Sequence, residues 1–437
     1  MCKNCPVNIT VKNYAVNIMC KNCAVNITVK NYAVNIMCKN CAVIITCKIC
    51  AVNITSKNCA TNITCTNCCC HLFAPSALGI DNYISGRERT AIHYEDKTEK
   101  FKKQMRESMS SKDRVMVFTE DLKNAIHLTE ASEEDLSLVS EMIKKFNQQH
   151  QGLRFGAFVF GPVVMRMYYY LNQPDAALAA LQAKEMEGFF DQMASYQIAM
   201  SLLYKNEKYQ EVLDVFELLQ EKRIGGIRYP KNCFTIAVAT LYKLNTQESL
   251  TKVLKLFEHA EEYGMFINRR LIIFAAALAL KQNHPHIALE LLSKSTVTHI
   301  SVCSIKVMAL CEQDQVEVAL PLLRSLIQID LPNTSKPEKS FRILSEAVLA
   351  AETALEKTGK KDLIAEFERI KKSLQENNNI SDKKLDMIVL EPIEVFKKQE
   401  FRKQDKATLA ASFYGKHQRR ESASYHSHRR QGLADLE

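Results

Sequence analysis

The chain has no tryptophan, and only 12 glycines and 10 prolines among 437 residues. So little chain-breaking material cannot supply the many turns of an all-β fold, and it suits helices. No apolar run is long enough to cross a bilayer. The longest, LIIFAAALAL from Leu271 to Leu280, lies between Arg269–Arg270 and Lys281 and fits a buried helix. The phosphate-cradling G-x-x-x-x-G-K, the zinc-binding H-E-x-x-H and the paired glycine fingerprint of dinucleotide sites are all missing. No catalytic constellation, cofactor site, metal site or small-molecule substrate is expected, and the protein reads as a non-enzyme. His284 and His286 flank Pro285 at a helix start and read as a capping turn. What charge there is leans positive, 58 Lys and Arg against 49 Asp and Glu, a net of +9. That balance favours a polyanionic partner.

Residues 1–70 are a different material. They repeat a nine-residue unit, MCKNCPVNI, TVKNYAVNI, MCKNCAVNI and onward, and all but three of the 16 cysteines (Cys233, Cys303 and Cys311) fall here. Several stand as C-x-x-C pairs such as Cys2–Cys5 and Cys20–Cys23, a spacing that suits tetrahedral zinc. One sequence copied in tandem repeats its spacing for free, however, and no core accompanies it. The segment is read as disordered low complexity, with adventitious metal or redox chemistry as the alternative. Its alternating Val, Ile and Thr also carry β-aggregation propensity.

The middle of the chain has a longer period. Polar helices run out at MEGFF (Gly188), KRIGGI (Gly225) and EYGMF (Gly264), about 40 residues apart. Each stretch also contains a second helix with a start signal: Asn172 and Pro174, Asn245 and Glu248, Asn283 and Pro285. Asn is expected to cap the helix start and Gly to close its end in a left-handed conformation. First helices end in similar language, MRMYYYLN, SLLYKNE, ATLYKLN and ALALKQN. Leu, Val and Ala at three- and four-residue steps mark one buried stripe per helix. The expected fold is all-α, an α-solenoid of stacked helical hairpins that offers a long concave surface instead of a closed pocket.

The string SYQIAMSLLYKNEKYQEVLDVFELLQEKRIGG, Ser195 to Gly226, resembles a pentatricopeptide repeat. Tyr196, Leu203, Tyr204, Val212, Leu213, Phe216 and Gly225 occupy that family's landmark places. Two flanking units, CFTIAVATLYKLNTQESLTKVLKLFEHAEEYG and CSIKVMALCEQDQVEVALPLL, match less closely. The nearest rival is a tetratricopeptide array, which binds peptides, but its Trp and Leu-Gly landmarks are missing here. The resemblance implies a mitochondrial single-stranded RNA-binding protein. Its role would be maturation, processing or stability of mitochondrial mRNA in support of the respiratory chain, with other RNA-processing proteins as further partners. The alternative is a protein-interaction scaffold that holds a helix or peptide in its groove. The first 70 residues contain no Arg and supply no recognisable mitochondrial presequence.

In that family the reading residue follows the early aromatic of the first helix, and a second reader sits at the next junction. The resemblance assigns the first role to Gln197, Thr235 and Ser304, and the second to Asn268, which with Thr235 would favour adenine. Pro162 or Gly161, Pro230 and Ile273 depart from the pattern at other reading places, so few bases would be read. Arg223, Arg228, Arg269 and Arg270 stand at unit ends, where they would touch phosphates. Five segments are expected: 1–70 low-complexity repeats, 71–101 linker, 102–328 helical array, 329–391 helical cap, and 392–437 a basic disordered tail (FKKQEFRKQDK, KHQRR, SHRR). Val117 to Gln149 would form a helix pair capping the array.

Overall fold

The computed structural model describes residues 71–110, 116–152, 158–293, 299–327 and 342–394, together with the backbone of seven short strands between residues 7 and 65. The basic tail from residue 395, the break at LPNTSKPEKS and the cysteine side chains of residues 1–70 lie outside the described residues.

The strands are β1 (Val7–Val11), β2 (Val16–Lys21), β3 (Ala24–Val29), β4 (Ala33–Lys39), β5 (Ala42–Cys47), β6 (Ala51–Lys57) and β7 (Ala60–Cys65). They form two parallel sheets, ordered β1-β3-β5-β7 and β2-β4-β6. The register is copy on copy: Val7 faces Val25, Asn8 faces Asn26, Val16 faces Val34. β-branched alternation suits such strands, and copied units share one register in which every second unit pairs.

The helices come in pairs. Preceding the array are α1 (Pro75–Leu78), α2 (Ile80–His93), α3 (Thr98–Ser110), α4 (Thr119–Leu128) and α5 (Glu133–Gly152). The array itself alternates first and second helices: α6 (Gly161–Leu171) with α7 (Pro174–Gln182), α8 (Met193–Lys205) with α9 (Tyr209–Lys222), and α10 (Lys231–Leu244) with α11 (Gln247–Glu262). It continues with α12 (Arg269–Lys281) and α13 (Pro285–Ser293), then α14 (Ile300–Glu312) and α15 (Val316–Ser325). Beyond it, β8 (Ile343–Leu344) leads into α16 (Ser345–Thr358) and α17 (Lys361–Glu376), and β9 (Ile380–Ser381) pairs back on β8 before the short α18 (Leu385–Val389).

First helices pack on first helices: α6 on α8, α8 on α10, α10 on α12, α12 on α14, α14 on α16. Second helices pack on the first helix of the next unit, α7 on α8, α9 on α10, α11 on α12, α13 on α14. The row in direct mutual contact is the inner layer. Each hairpin buries its apolar stripe against its neighbours, in one core that runs from unit to unit as far as α14 and a second that continues from α14 to α17. Phe234 shows the joint: fully buried on α10, it stacks on Phe216 of α9 with ring centroids 5.8 Å apart and meets Phe257 of α11 edge-on at 6.0 Å.

The glycine endings behave as expected. Gly188, Gly225 and Gly264 take φ of +80°, +62° and +71°. The asparagines do not. Asn172 and Asn245 are themselves left-handed, φ 53° and 45°, and close the first helices α6 and α10 instead of opening the second ones. The start of α11 belongs to Thr246, whose side chain and that of Ser249 form a reciprocal capping box. The short polar Asn side chain tolerates the left-handed region, which makes it serve either end of a helix.

Residues 71–101, read as a linker, are mostly helical and partly core. Leu72, Phe73, Leu78, Ile80 and Tyr83 are each 3–4% exposed. Helix α3 packs Phe101, Met105 and Met109 against the core and adds a buried ion pair, Lys102 Nζ to Asp135 of α5 at 2.6 Å.

Candidate nucleic-acid interface

Three successive first helices, α8, α10 and α12, begin at one cleft of about 650 Å³. Met193 opens α8, Lys231 and Asn232 open α10, and Asn268 caps α12 there. Helix starts concentrate unpaired backbone N–H groups and a partial positive charge, so this edge suits an anion. The floor is apolar. Met193, Met265 and Ile227 line it, and Phe266 stands at the rim 86% exposed.

The residues singled out from sequence divide sharply. Gln197 lines the cleft and its Oε1 accepts from Asn232 Nδ2 at 3.0 Å, an amide rung between two units. Asn268 also lines it. Its Oδ1 accepts from the backbone N–H of Arg270 and Leu271 at 3.0 and 3.1 Å, so its amide N–H groups are what it can offer the cleft. Thr235 is 4% exposed and its hydroxyl donates to Lys231 O at 2.8 Å. Ser304 is fully buried, with its Oγ accepting from Leu344 N at 3.1 Å, and so anchors β8. Thr235 and Asn268 are therefore not brought together at the surface: one is turned into the packing and the other caps a helix. Ile273 lies in the core, and Gly161 is buried at the start of α6.

The arginines also have other duties. Arg228 donates to Tyr263 Oη at 2.6 Å and sits 4.8 Å above that ring's centroid. Arg270 donates to the carbonyls of Val389 and Glu391. Arg269 and Lys231 are exposed at the cleft edge, and Arg223 is exposed in a left-handed turn at the end of α9. Asn232 and Phe266 were missed by sequence reading. Neither belongs to a periodic stripe, and an exposed Phe leaves no pattern in one sequence. Cys233 is buried beside the cleft, and burial pushes its thiol up to about 12, which keeps it protonated and inert. Cys311 is likewise raised to about 11 by burial. The packing role read for these cysteines agrees with that.

The inner face itself is not open. Residues 233–242 of α10 and 271–280 of α12 are buried without interruption. A solenoid helix with one face in a solvated groove would show an exposed stripe. Here α18 lies across α12 and α14, and Ile393 pairs with Phe73, which belongs to the segment packing on α8 through α1. The concave surface expected from sequence is thus lined, along α8 to α14, by the chain's own ends.

A row of paired helices that carries its polar and aromatic groups at unit junctions is a helical-repeat protein. Known proteins place it further. No protein-family model matches the chain. It is similar to pentatricopeptide repeat-containing protein 2, mitochondrial, of Mus musculus, 30% identical over 275 residues that make up 63% of this chain and 70% of that one. The same protein of Xenopus laevis is 31% identical over 189 residues, 43% of this chain and 48% of that one. The Homo sapiens protein is 27% identical over 278 residues, 63% and 69% of the two chains. The chain belongs to the family of pentatricopeptide repeat-containing protein 2, and its localisation is mitochondrial by that membership. Among the described residues no helix is long and apolar enough to cross a membrane.

Proposed function

We propose that the array binds single-stranded RNA along the edge where α8, α10 and α12 begin, and acts in maturation, processing or stability of mitochondrial mRNA, in support of the respiratory chain. The observation that carries this reading is the cleft itself: amides of Gln197, Asn232 and Asn268 beside an exposed aromatic, at three helix starts. An amide offers both donor and acceptor to a base edge. Single strands are read through splayed bases that meet such groups and stack on aromatic rings. Lys231 and Arg269, both exposed, are the cations placed to take phosphates. We assign the protein no bond-breaking step. It would act by occlusion, holding a strand so that a nuclease or processing partner meets a changed substrate.

The scaffold alternative has one observation behind it: the inner face already holds a peptide, residues 385–393 of the same chain. Filter binding of short RNAs across a salt series separates the two. RNA binding predicts an affinity that falls linearly on a log–log plot, by about 0.7 per phosphate contact. Negligible retention at low salt would remove the RNA reading and leave the scaffold.

A further inference from the structure

We propose that Leu385–Ile393 is a strap held in cis on the inner face of the array, and that it must leave before an RNA strand can lie along that face. The inference rests on the RNA reading above. The strap has apolar and polar attachments. Ile388, Val389 and Leu390 are 8%, 2% and 3% exposed, and α18 packs on α12 and α14. Asp386 accepts from Tyr242 Oη of α10 and pairs with Lys281 Nζ of α12 at 2.8 Å. At the other end of α12, Arg270 donates to Val389 O at 3.4 Å and to Glu391 O. The strap therefore follows α12 from its last residue to its first turn. It then reaches the opposite end of the described chain: Ile393 N donates to Leu72 O at 2.8 Å and Ala74 N donates to Ile393 O at 3.0 Å.

The strap's chemistry matches what it would exclude. A carboxylate and two carbonyl oxygens take up Lys281 and Arg270, the inner-face cations that phosphate oxygens would otherwise meet. Its apolar helix α18 packs on α12 and α14, over part of the face against which unstacked bases would have to lie. The chain continues from the strap into FKKQEFRKQDK, so the sequence puts a run of five cations next to the segment that has to move. A protein whose binding-competent state is a minor population shows an affinity reduced by that fraction.

The test compares the full chain with two full-chain variants, Asp386→Ala and the double substitution Val389→Asp with Leu390→Asp. The probe is a labelled oligouridine strand. Both variants are expected to bind it about tenfold more tightly than the native chain, for a strap populated nine-tenths of the time or more. A synthetic peptide of residues 383–394 added in trans should bind the double variant, not the native chain, and return its RNA affinity toward the native value. Far-UV circular dichroism checks that helix content is kept, and Asp386→Ala carries the test if the double variant does not fold. Equal, measurable affinity in the native chain and a folded variant overturns the strap while leaving RNA binding intact. No RNA binding by any of the chains overturns the RNA reading and the strap's role with it.

Discussion

Asp386 and His71 make the seating of the chain's ends sensitive to acid, over two separate pH windows. Burial raises the Asp386 carboxyl, but hydrogen bonds from Lys281 and Tyr242 outweigh it and hold the group below its ordinary 3.8. A carboxylate lowered by folding stabilises the folded state above its unfolded pKa, and that contribution is lost as pH falls through the folded value. His71 is lowered from 6.5 to about 4, first by burial and then by Lys205. Because the unfolded chain takes up this proton more readily, stability falls as pH drops from 6.5 toward 4. Hydrogen exchange should therefore show the contacts of residues 72–74 with Ile393 weakening first, across the His71 window, and α18 losing protection only below pH 3.8. Simultaneous loss of both above pH 6.5 would contradict the assignment.

Two cleft residues separate stability from binding at the same scale. Asn268→Ala removes an N-cap and should cost about 1 kcal/mol in thermal or denaturant unfolding. Phe266→Ala removes a ring that is 86% exposed and should leave unfolding unchanged. Its RNA affinity should fall by about 1–3 kcal/mol if a base stacks there. A stability loss with unaltered RNA affinity would show Phe266 to be a packing residue.

At the scale of elements, the joints between hairpins hold the array together. Phe234 belongs to three helices at once, so Phe234→Ala should cost about 3–5 kcal/mol. The loss should appear in hydrogen exchange as reduced protection of α9, α10 and α11 ahead of α16 and α17, because contacts in a stack reach only neighbouring units. Uniform loss across all helices would mean that the array unfolds as one block. Much at this scale was legible in the sequence. The endings at Gly188, Gly225 and Gly264 marked the unit ends, and the pair expected over Val117 to Gln149 is found as α4 and α5. The caps were misread because Asn172 and Asn245 lie between two helices, where one residue type serves either side. The helical pattern expected from Lys102 onward is found in α3, which starts four residues earlier at Thr98.

The whole molecule differs from the sequence reading in one consequential way. Landmark residues located the family and the hairpin stack, and of the readers the resemblance named, Gln197 and Asn268 were found lining the cleft. Thr235 and Ser304 were not, since whether a small polar residue faces solvent depends on tertiary contacts that local spacing does not encode. The closed inner face did leave a trace. LIIFAAALAL is apolar on every side, which an open groove does not require and a covered helix does. What covers it, the five residues LDMIV of α18, is too short to show a period. On the proposed reading the strapped chain takes RNA at its junction edge, and the inner face stays covered until the strap leaves. Ultraviolet crosslinking of the full chain to single-stranded RNA, with the attached peptides mapped by mass spectrometry, tests this most directly. The account predicts adducts on the starts of α8, α10 and α12, at Gln197, Asn232, Phe266 and Asn268, and none on Thr235 or Ser304. Adducts confined to the inner residues 271–280, with the junction edge unmodified, would contradict it.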